Sequence, residues 1–163
     1  MKTIGLLSDT HNHLDDKFYN FMESCDMIWH AGDIGSIVLA DKIAKFKPLI
    51  AVSGNIDDYQ TRLVYPLEQR FTVEDVDVYM THIGGYPGKY SAAAGKVLRT
   101  NPPKIFVCGH SHILRVMFDE KFNCLVMNPG AAGQYGQQPK RTVLRFKLHQ
   151  GEVKDLEICE LPR

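Results

Sequence analysis

The sequence predicts an α/β protein in which a mainly parallel sheet is followed by a second, more antiparallel sheet packed against it. Up to His112, short apolar runs rich in β-branched residues alternate with segments of helical pattern, which is typical of parallel strands joined by helices. After His112 the runs follow one another without helices, which favours antiparallel pairing. A single domain over residues 1–163 is expected, because a chain of this length buries enough surface to fold without disulfides.

The individual elements follow from the apolar runs in chain order. Five runs are predicted to be buried strands: TIGLLS, DMIWHA, PLIAVS, VDVYMTH and KIFVCGH. Helices are predicted over 17–24, 37–46 and 91–100, the last ended by the prolines that follow Asn101. Three later runs are predicted to be strands, with Gln150-Gly151 as a hairpin turn in the last of them: LRVMFDE, NCLVMNPG and TVLRFKLHQGEVKDLEICEL.

Composition and charge exclude several classes of protein. Lys plus Arg and Asp plus Glu both number 19, so no broad surface for nucleic acid or membranes is indicated. No segment approaches the ~20 apolar residues of a membrane span, and the N-terminus lacks the long apolar region of a signal peptide. The four cysteines show no CxxC spacing, as expected of reduced thiols. A cytoplasmic protein with a small partner is predicted.

The ends of the five predicted buried strands share one feature, a side chain of a type that binds metal ions. In open α/β sheets, ligands bind outside the carboxyl ends of the strands, so residues distant in sequence converge there. The set contains two carboxylates, one amide and four imidazoles: Asp9, His11, Asp33, Asn55, His82, His110 and His112. A catalytic zinc typically uses three protein ligands, whereas a pair of adjacent ions needs about as many as are present here. An open two-metal centre is therefore predicted.

The donor types also indicate the metals and the substrate. Carboxylate, amide and imidazole without cysteine suit Mn, Ni, Zn, Fe or Co, with manganese expected first. If Asp9 and Asp33 are the only charged ligands, two divalent ions leave a surplus of two positive charges. A hydroxide and one phosphodiester anion would cancel that surplus. Charge therefore favours a phosphate ester, with one metal lowering the pKa of the attacking water and both polarising the phosphoryl oxygens.

The order of these residues resembles the five signatures of the calcineurin-like metallophosphoesterase superfamily. The matching segments are Asp9-Thr10-His11, Gly32-Asp33, Gly54-Asn55, Thr81-His82 and Gly109-His110-Ser111-His112. In length the chain is similar to the small single-domain phosphodiesterase branch, which is related to the scaffold subunit of the retromer. The resemblance implies a four-layer α-β-β-α sandwich of two mixed β-sheets with flanking helices, and a dimetal site at one edge.

The resemblance also implies a role for each residue of the set. The first metal would be held by Asp9, His11 and His112, the second by Asn55, His82 and His110, with Asp33 bridging the two. Asp33, Asn55 and His82 would be catalytic, and a hydroxide that bridges the metals would attack the phosphate in line. Asn55 would also contact the substrate.

Residues near the set are assigned supporting or substrate-binding roles. Lys89, in the loop GGYPGKY, is expected to contact a phosphate, and Tyr86 or Tyr90 to stack on a base; the alternative is a solvated surface loop. His30 and Asp57 are expected to support the ligands through hydrogen bonds rather than bind a metal.

Two positions depart from the family's pattern. Many members have a histidine after the glycine-asparagine pair that assists the leaving group, and this chain has Ile56 there. Slow turnover of substrates with poor leaving groups is expected, because isoleucine cannot donate a proton. Relatives often carry a further histidine where this chain has Gly84, which predicts the loss of a phosphate contact.

Two other functions compete with the hydrolysis of small phosphate esters. A protein-binding scaffold of the same fold, with little or no catalysis, would not need the complete ligand set that this chain retains. A nuclease is disfavoured because no basic stripe accompanies the site, so nucleotides rather than nucleic acid polymers are expected. Assembly into a homo-oligomer is left open.

Overall fold

Two mixed five-stranded sheets form the centre of the structure, a computed structural model that describes residues 1–163. The elements in chain order are β1 (Lys2–Leu7), α1 (Asp16–Phe21), β2 (Met27–His30), α2 (Ile37–Phe46), β3 (Leu49–Ala51), α3 (Tyr59–Val64), β4 (Glu68–Val73), β5 (Val76–Thr81), β6 (Gly85–Tyr86), β7 (Lys89–Tyr90), α4 (Ala92–Thr100), β8 (Ile105–Val107), β9 (Leu114–Asp119), β10 (Cys124–Pro129), β11 (Lys140–His149) and β12 (Glu152–Pro162). The first sheet has the strand order β12-β11-β1-β2-β3 and the second β4-β5-β8-β10-β9, while β6 and β7 form a separate hairpin.

Three buried clusters define four layers. The largest lies between the sheets and contains Ile4 from the first and Val78 from the second. Another joins the outer face of the first sheet to α1 and α2, through residues such as Phe18 and Ile43. The third joins the outer face of the second sheet to α4 through Leu98. Side chains alternate between the two faces of a strand, so a strand that is buried on both faces contributes to two clusters. The predicted α-β-β-α sandwich of two mixed sheets is confirmed.

The strands are divided between the sheets differently from the expectation. β5 and β8, expected beside β1–β3, lie in the second sheet, where β8 pairs in parallel with both β5 and β10. β11, expected in the second sheet, returns to pair antiparallel with β1. Strands that are buried on both faces have the same apolar pattern in either sheet, so the pattern reveals burial but not the partner strand. The elements α3, β4 and the β6–β7 hairpin were also not predicted.

The three predicted helices are present, although α1 and α4 differ from the prediction at their ends. α2 spans the predicted residues, and its N-terminus is capped by the Ser36 hydroxyl, which accepts the N–H of Leu39. α4 begins after Ser91, which caps it in the same way. α1 is shorter than predicted and ends at Phe21. None of the helices has the length and apolarity needed to cross a membrane.

Candidate metal centre

The seven residues expected to bind metals lie together at one edge of the sandwich. They follow β1, β2 and β3 of the first sheet and β5 and β8 of the second. Two groups each bring three donor atoms within 4.8 Å of one another: Asp9, His11 and His112 in the first group, and Asp33, His82 and His110 in the second. Asn55 joins the second group, because its Oδ1 lies 3.1 Å from Nδ1 of His110.

The carboxylates connect the two groups. Oδ1 of Asp9 lies 3.2 Å from Nε2 of His112, and Oδ2 of Asp33 lies 3.2 Å from Nε2 of His82. The same Asp33 oxygen lies 3.4 Å from Nε2 of His11, which belongs to the first group. One oxygen of Asp33 therefore faces both groups, which is the position that a bridging ligand requires.

Each carboxylate is oriented by hydrogen bonds to its other oxygen. Oδ2 of Asp9 accepts the Ser8 hydroxyl at 2.7 Å and the backbone N–H of His110 at 3.1 Å. Oδ1 of Asp33 accepts the backbone N–H of Ile56 at 3.1 Å. These contacts fix the carboxylate planes and leave the remaining oxygens directed at imidazole nitrogens.

Three buried atoms of the two donor groups have no hydrogen-bond partner: Oδ1 of Asp9, Nε2 of His11 and Nε2 of His82. The His82 ring is fixed by Nδ1, which lies 2.7 Å from the carbonyl oxygen of Ala31. Because a carbonyl only accepts, Nδ1 carries a proton, so in the neutral form of the ring Nε2 presents the lone pair. Buried polar atoms seldom lack partners, so unpartnered lone pairs that share one small space fit the ligand set of divalent cations.

Burial and neighbouring groups act in opposite directions on these pKa values. Burial raises the pKa of Asp9, but the neighbouring imidazoles of His11, His112 and His82 outweigh it and hold that pKa well below its usual range. Burial also raises the pKa of Asp33, but the contact with His82 outweighs burial and lowers that pKa. Burial lowers the pKa of His82, while Asp33 and Asp9 raise it above its usual value. Both carboxylates are therefore ionised near neutral pH, as cation binding requires.

Five of the seven residues adopt the left-handed backbone conformation. Their φ angles are 55° at Asp9, 44° at His11, 54° at Asp33, 70° at His110 and 61° at His112. A non-glycine residue in this region costs of order 1–3 kcal/mol, although Asp and His adopt it more readily than most. Such conformations cluster at ligand-binding sites, where the surrounding fold imposes them. The sharp turns aim consecutive side chains into one space.

Glycines allow the closest approaches around the site. A Cβ atom at Gly54 would collide with the carboxylate of Asp33, and one at Gly109 would collide with the Ser8 hydroxyl. At Gly84, a Cβ atom would collide with the Phe106 ring. A side chain at position 84 would therefore require the Phe106 ring to move.

Asp57 joins the loops that follow β2 and β3. Its carboxylate accepts three backbone N–H groups: those of Ile34 at 3.2 Å, Gly35 at 2.9 Å and Gly54 at 2.7 Å. Asp57 thus holds together the segments that carry Asp33 and Asn55 and does not belong to either donor group.

His30 is fully buried behind the donor groups and outside them. Its Nδ1 accepts the N–H of Gly32 at 3.1 Å, and its Nε2 lies 3.0 Å from the Thr10 hydroxyl oxygen. That hydroxyl donates to the carbonyl of Ile34, so it accepts a proton from Nε2 of His30. Burial is the main cause that lowers the His30 pKa to about 4. The ring is therefore neutral near neutral pH.

The loop that was assigned to substrate contacts forms the β6–β7 hairpin. Lys89 is exposed and lines a cavity beside the second group. The Tyr90 hydroxyl donates to Asp119 at 2.6 Å and its ring packs against the third cluster, while stacking of Tyr86 or Tyr90 on a base stays a prediction. Tyr86 carries the guanidinium of Arg115 on one face, 3.9 Å from the ring centroid.

Two residues near the site were not predicted. Arg115 reaches it from β9, and Tyr135 stacks on the His11 ring at 5.1 Å between centroids. Neither residue belongs to a motif, and both come from the part of the chain after the fifth signature. The glycine-rich stretch around Tyr135 was the one available signal, because such loops allow close approach to a site.

Comparison with known proteins supports the family indicated by these residues. A phosphodiesterase of Methanocaldococcus jannaschii is 24% identical over 149 residues, which cover 81% of this chain and 85% of that protein. A probable metallophosphoesterase of Methanothermobacter thermautotrophicus is 25% identical over 161 residues, which cover 95% of this chain and 90% of that protein.

Solved structures share the fold at lower sequence identity. An archaeal phosphodiesterase is 19% identical with a TM-score of 0.75, and the match covers 98% of this chain and 99% of that chain. Vps29 of Entamoeba histolytica, solved with Zn²⁺, is 13% identical with a TM-score of 0.74, and the match covers 98% of each chain. Identities this low establish the fold alone. The sequence itself matches the calcineurin-like phosphoesterase superfamily domain over residues 1–151, and the chain therefore belongs to that superfamily.

Proposed function

We propose that this chain is a metal-dependent phosphodiesterase that hydrolyses phosphate esters at a centre of two divalent ions. The observation that carries the proposal is the set of three buried atoms without hydrogen-bond partners on Asp9, His11 and His82. Relatives named as a phosphodiesterase and a probable metallophosphoesterase support the reaction class.

The two donor groups supply a ligand set for each ion. Asp9, His11 and His112 would hold one ion, Asn55, His82 and His110 the other, with Asp33 between them. When bound, such ions lower the pKa of a water molecule and polarise phosphoryl oxygens. Manganese is proposed as the metal, with nickel, zinc, iron and cobalt as alternatives, because all of them accept carboxylate, amide and imidazole ligands.

The surrounding residues orient the substrate. Asn55 directs Oδ1 toward His110, which leaves its Nδ2 group free to donate to a phosphate oxygen. Lys89 offers a cation at the rim of the site. The Ile56 N–H is used by Asp33 and its side chain has no proton to give, so this position does not assist a leaving group. Esters with good leaving groups, such as aryl phosphodiesters, are therefore expected to react fastest.

Hydrolysis of bis(p-nitrophenyl) phosphate in the presence of Mn²⁺ tests the proposal. Asp33→Asn and His112→Ala are each expected to lower kcat by about 100-fold or more while circular dichroism stays unchanged, because each removes a ligand. Asp41→Asn, an exposed change on α2, is the matched control and is expected to keep full activity. Full activity in both ligand variants would contradict the proposal.

The alternative function is a weakly catalytic or non-catalytic scaffold that binds other proteins. The structural similarity to Vps29 is the observation that favours it. Elemental analysis of the purified protein separates the two functions. Fewer than about one tightly bound transition metal per chain, together with no gain in activity on adding Mn²⁺, Ni²⁺ or Co²⁺, would favour the scaffold.

A single domain over residues 1–163, a cytoplasmic location and a small phosphoester substrate belong to the same proposal. The equal numbers of basic and acidic residues, 19 of each, favour a small substrate over a nucleic acid polymer. Light scattering after size-exclusion chromatography measures whether the chain forms a homo-oligomer.

A further inference from the structure

A cavity of about 250 Å³ lies directly beside the second donor group. The loop after β5, the β6–β7 hairpin, β9 and β10 contribute to its walls. None of its 13 lining residues is acidic, whereas two of them, Lys89 and Arg115, are basic. His110, a residue of the second donor group, forms part of its wall, so the cavity borders the proposed metal centre. Its charge suits an anion held next to that centre.

Arg115 is held in place without being neutralised. Its guanidinium carbon lies 3.9 Å from the centroid of the Tyr86 ring, which fixes the plane of the group. Arg70, Arg141 and Arg145 each lie within ion-pair distance of a carboxylate, whereas Arg115 forms no ion pair. Its N–H donors therefore remain available for a planar, two-pronged contact with phosphate oxygens.

The register of the second sheet places Arg115 next to the loop that carries the proposed ligands. Arg115 is paired with Asn128 across β9 and β10, and residues opposite each other in an antiparallel pair share a face. The Asn128 side-chain amide donates to the carbonyl of Gly109 at 3.0 Å and to the Ser111 hydroxyl at 3.1 Å. These two residues flank His110, so the position of Arg115 is tied to that of the second donor group.

The charge of the metal centre does not account for these two cations. Asp9 and Asp33, two divalent ions, one hydroxide and one phosphodiester together have no net charge. Lys89 and Arg115 add two positive charges at the same edge of the protein. A second phosphate group carries close to two negative charges at neutral pH and matches the excess.

On the basis of the proposed function, we infer that this cavity binds a second phosphate group of the substrate through Arg115 and Lys89. The preferred substrates are then phosphodiesters that carry a further phosphate, such as a dinucleotide with a terminal phosphate.

Titration calorimetry of the Mn²⁺-loaded protein tests this site without turnover of a phosphodiester. The ligands are adenosine 5′-monophosphate and adenosine 3′,5′-bisphosphate. Wild-type protein is expected to bind the bisphosphate about tenfold or more tightly, which is the size of effect that a charged hydrogen bond produces. Arg115→Gln is expected to lose this preference. Arg99→Gln removes an exposed arginine of α4 outside the cavity and is expected to keep it.

The same variants are then compared in hydrolysis of the dinucleotide ApA and its 5′-phosphorylated form pApA. The ratio of kcat/KM for pApA to that for ApA is expected to fall about tenfold in Arg115→Gln, through a higher KM for pApA. Equal wild-type affinity for the two adenosine ligands, or a preference that survives Arg115→Gln, would overturn the second phosphate site. A lack of hydrolysis of every phosphodiester would overturn the proposed function instead, and the binding ratio would still decide the role of the cavity.

Discussion

Replacing His30 by glutamine tests whether a neutral, buried imidazole holds the loop after β2 against Thr10. The wild-type ring donates from Nε2 to the Thr10 hydroxyl and accepts the N–H of Gly32 at Nδ1. A second proton on the ring would face the N–H of Gly32 and would be buried without an acceptor. Glutamine offers a donor and an acceptor on one side chain but does not titrate.

The expected effect on stability has a definite sign and size. The unfolded chain binds a proton at His30 near pH 6.5, whereas the folded chain binds it only near pH 4. The unfolded state therefore holds more protons between these values, so stability is complete above the upper value and decreases as the pH falls through this window. The difference between the two pKa values, at about 1.4 kcal/mol per pH unit, corresponds to about 3 kcal/mol.

Urea unfolding of the metal-free protein measures this loss, with the fluorescence of the single tryptophan, buried Trp29, as the signal. Between pH 6.5 and about 4, wild-type protein is expected to lose about 3 kcal/mol more than His30→Gln. The comparison uses the change in the free energy of unfolding with pH, so a loss of stability that the substitution causes equally at every pH does not affect it. If the free energy of unfolding changed with pH by the same amount in both proteins, a neutral buried His30 would be refuted.

Two further predictions concern the metal centre. The Mn²⁺ ion held by Asp9, His11 and His112, at about 1,000 times its Kd, is expected to stabilise the fold by about 4 kcal/mol and to raise Tm by about 12 °C, since a chain of 163 residues unfolds with about 0.34 kcal/mol/K of entropy. His112→Ala should lose most of this shift in differential scanning calorimetry, and an unchanged shift would show that the ion binds elsewhere. Gly54→Ala should raise the Mn²⁺ Kd about tenfold or more, although Gly54 is no ligand, because the added methyl group displaces Asp33. Isothermal titration calorimetry measures this Kd. A Kd equal to that of the wild type would contradict the prediction and would show that the loop tolerates the methyl group.

The residues of the candidate metal centre were accessible from the sequence because each follows a recognisable strand. A strand buried on both faces leaves an apolar run, and the polar residue at its carboxyl end stands out against it. The structure shows contacts between loops that the apolar pattern of the sequence does not predict. Oδ2 of Asp33 faces both donor groups because Ile56 fixes the other oxygen, and this contact links loops of different strands.

Arg115 was not accessible because long-range strand pairing places it. Arg115 faces the site only through the β9–β10 register, and a shift of one residue would turn it to the opposite face. The sheet assignments were inaccessible for a related reason. β11 pairs with β1 although more than a hundred positions separate Lys2 from its partner Leu148, and apolar periodicity carries no information about such partners.

Anomalous diffraction from crystals grown with saturating Mn²⁺ tests the presence of a two-metal centre most directly. Two anomalous peaks about 3.5–4 Å apart are predicted. One peak should lie within coordination distance of Asp9, His11 and His112, and the other within coordination distance of His82 and His110, with Asp33 between them. Wild-type crystals without a peak at this edge, or with a single peak out of reach of Asp33, would contradict the two-metal centre and the hydrolytic function proposed for it.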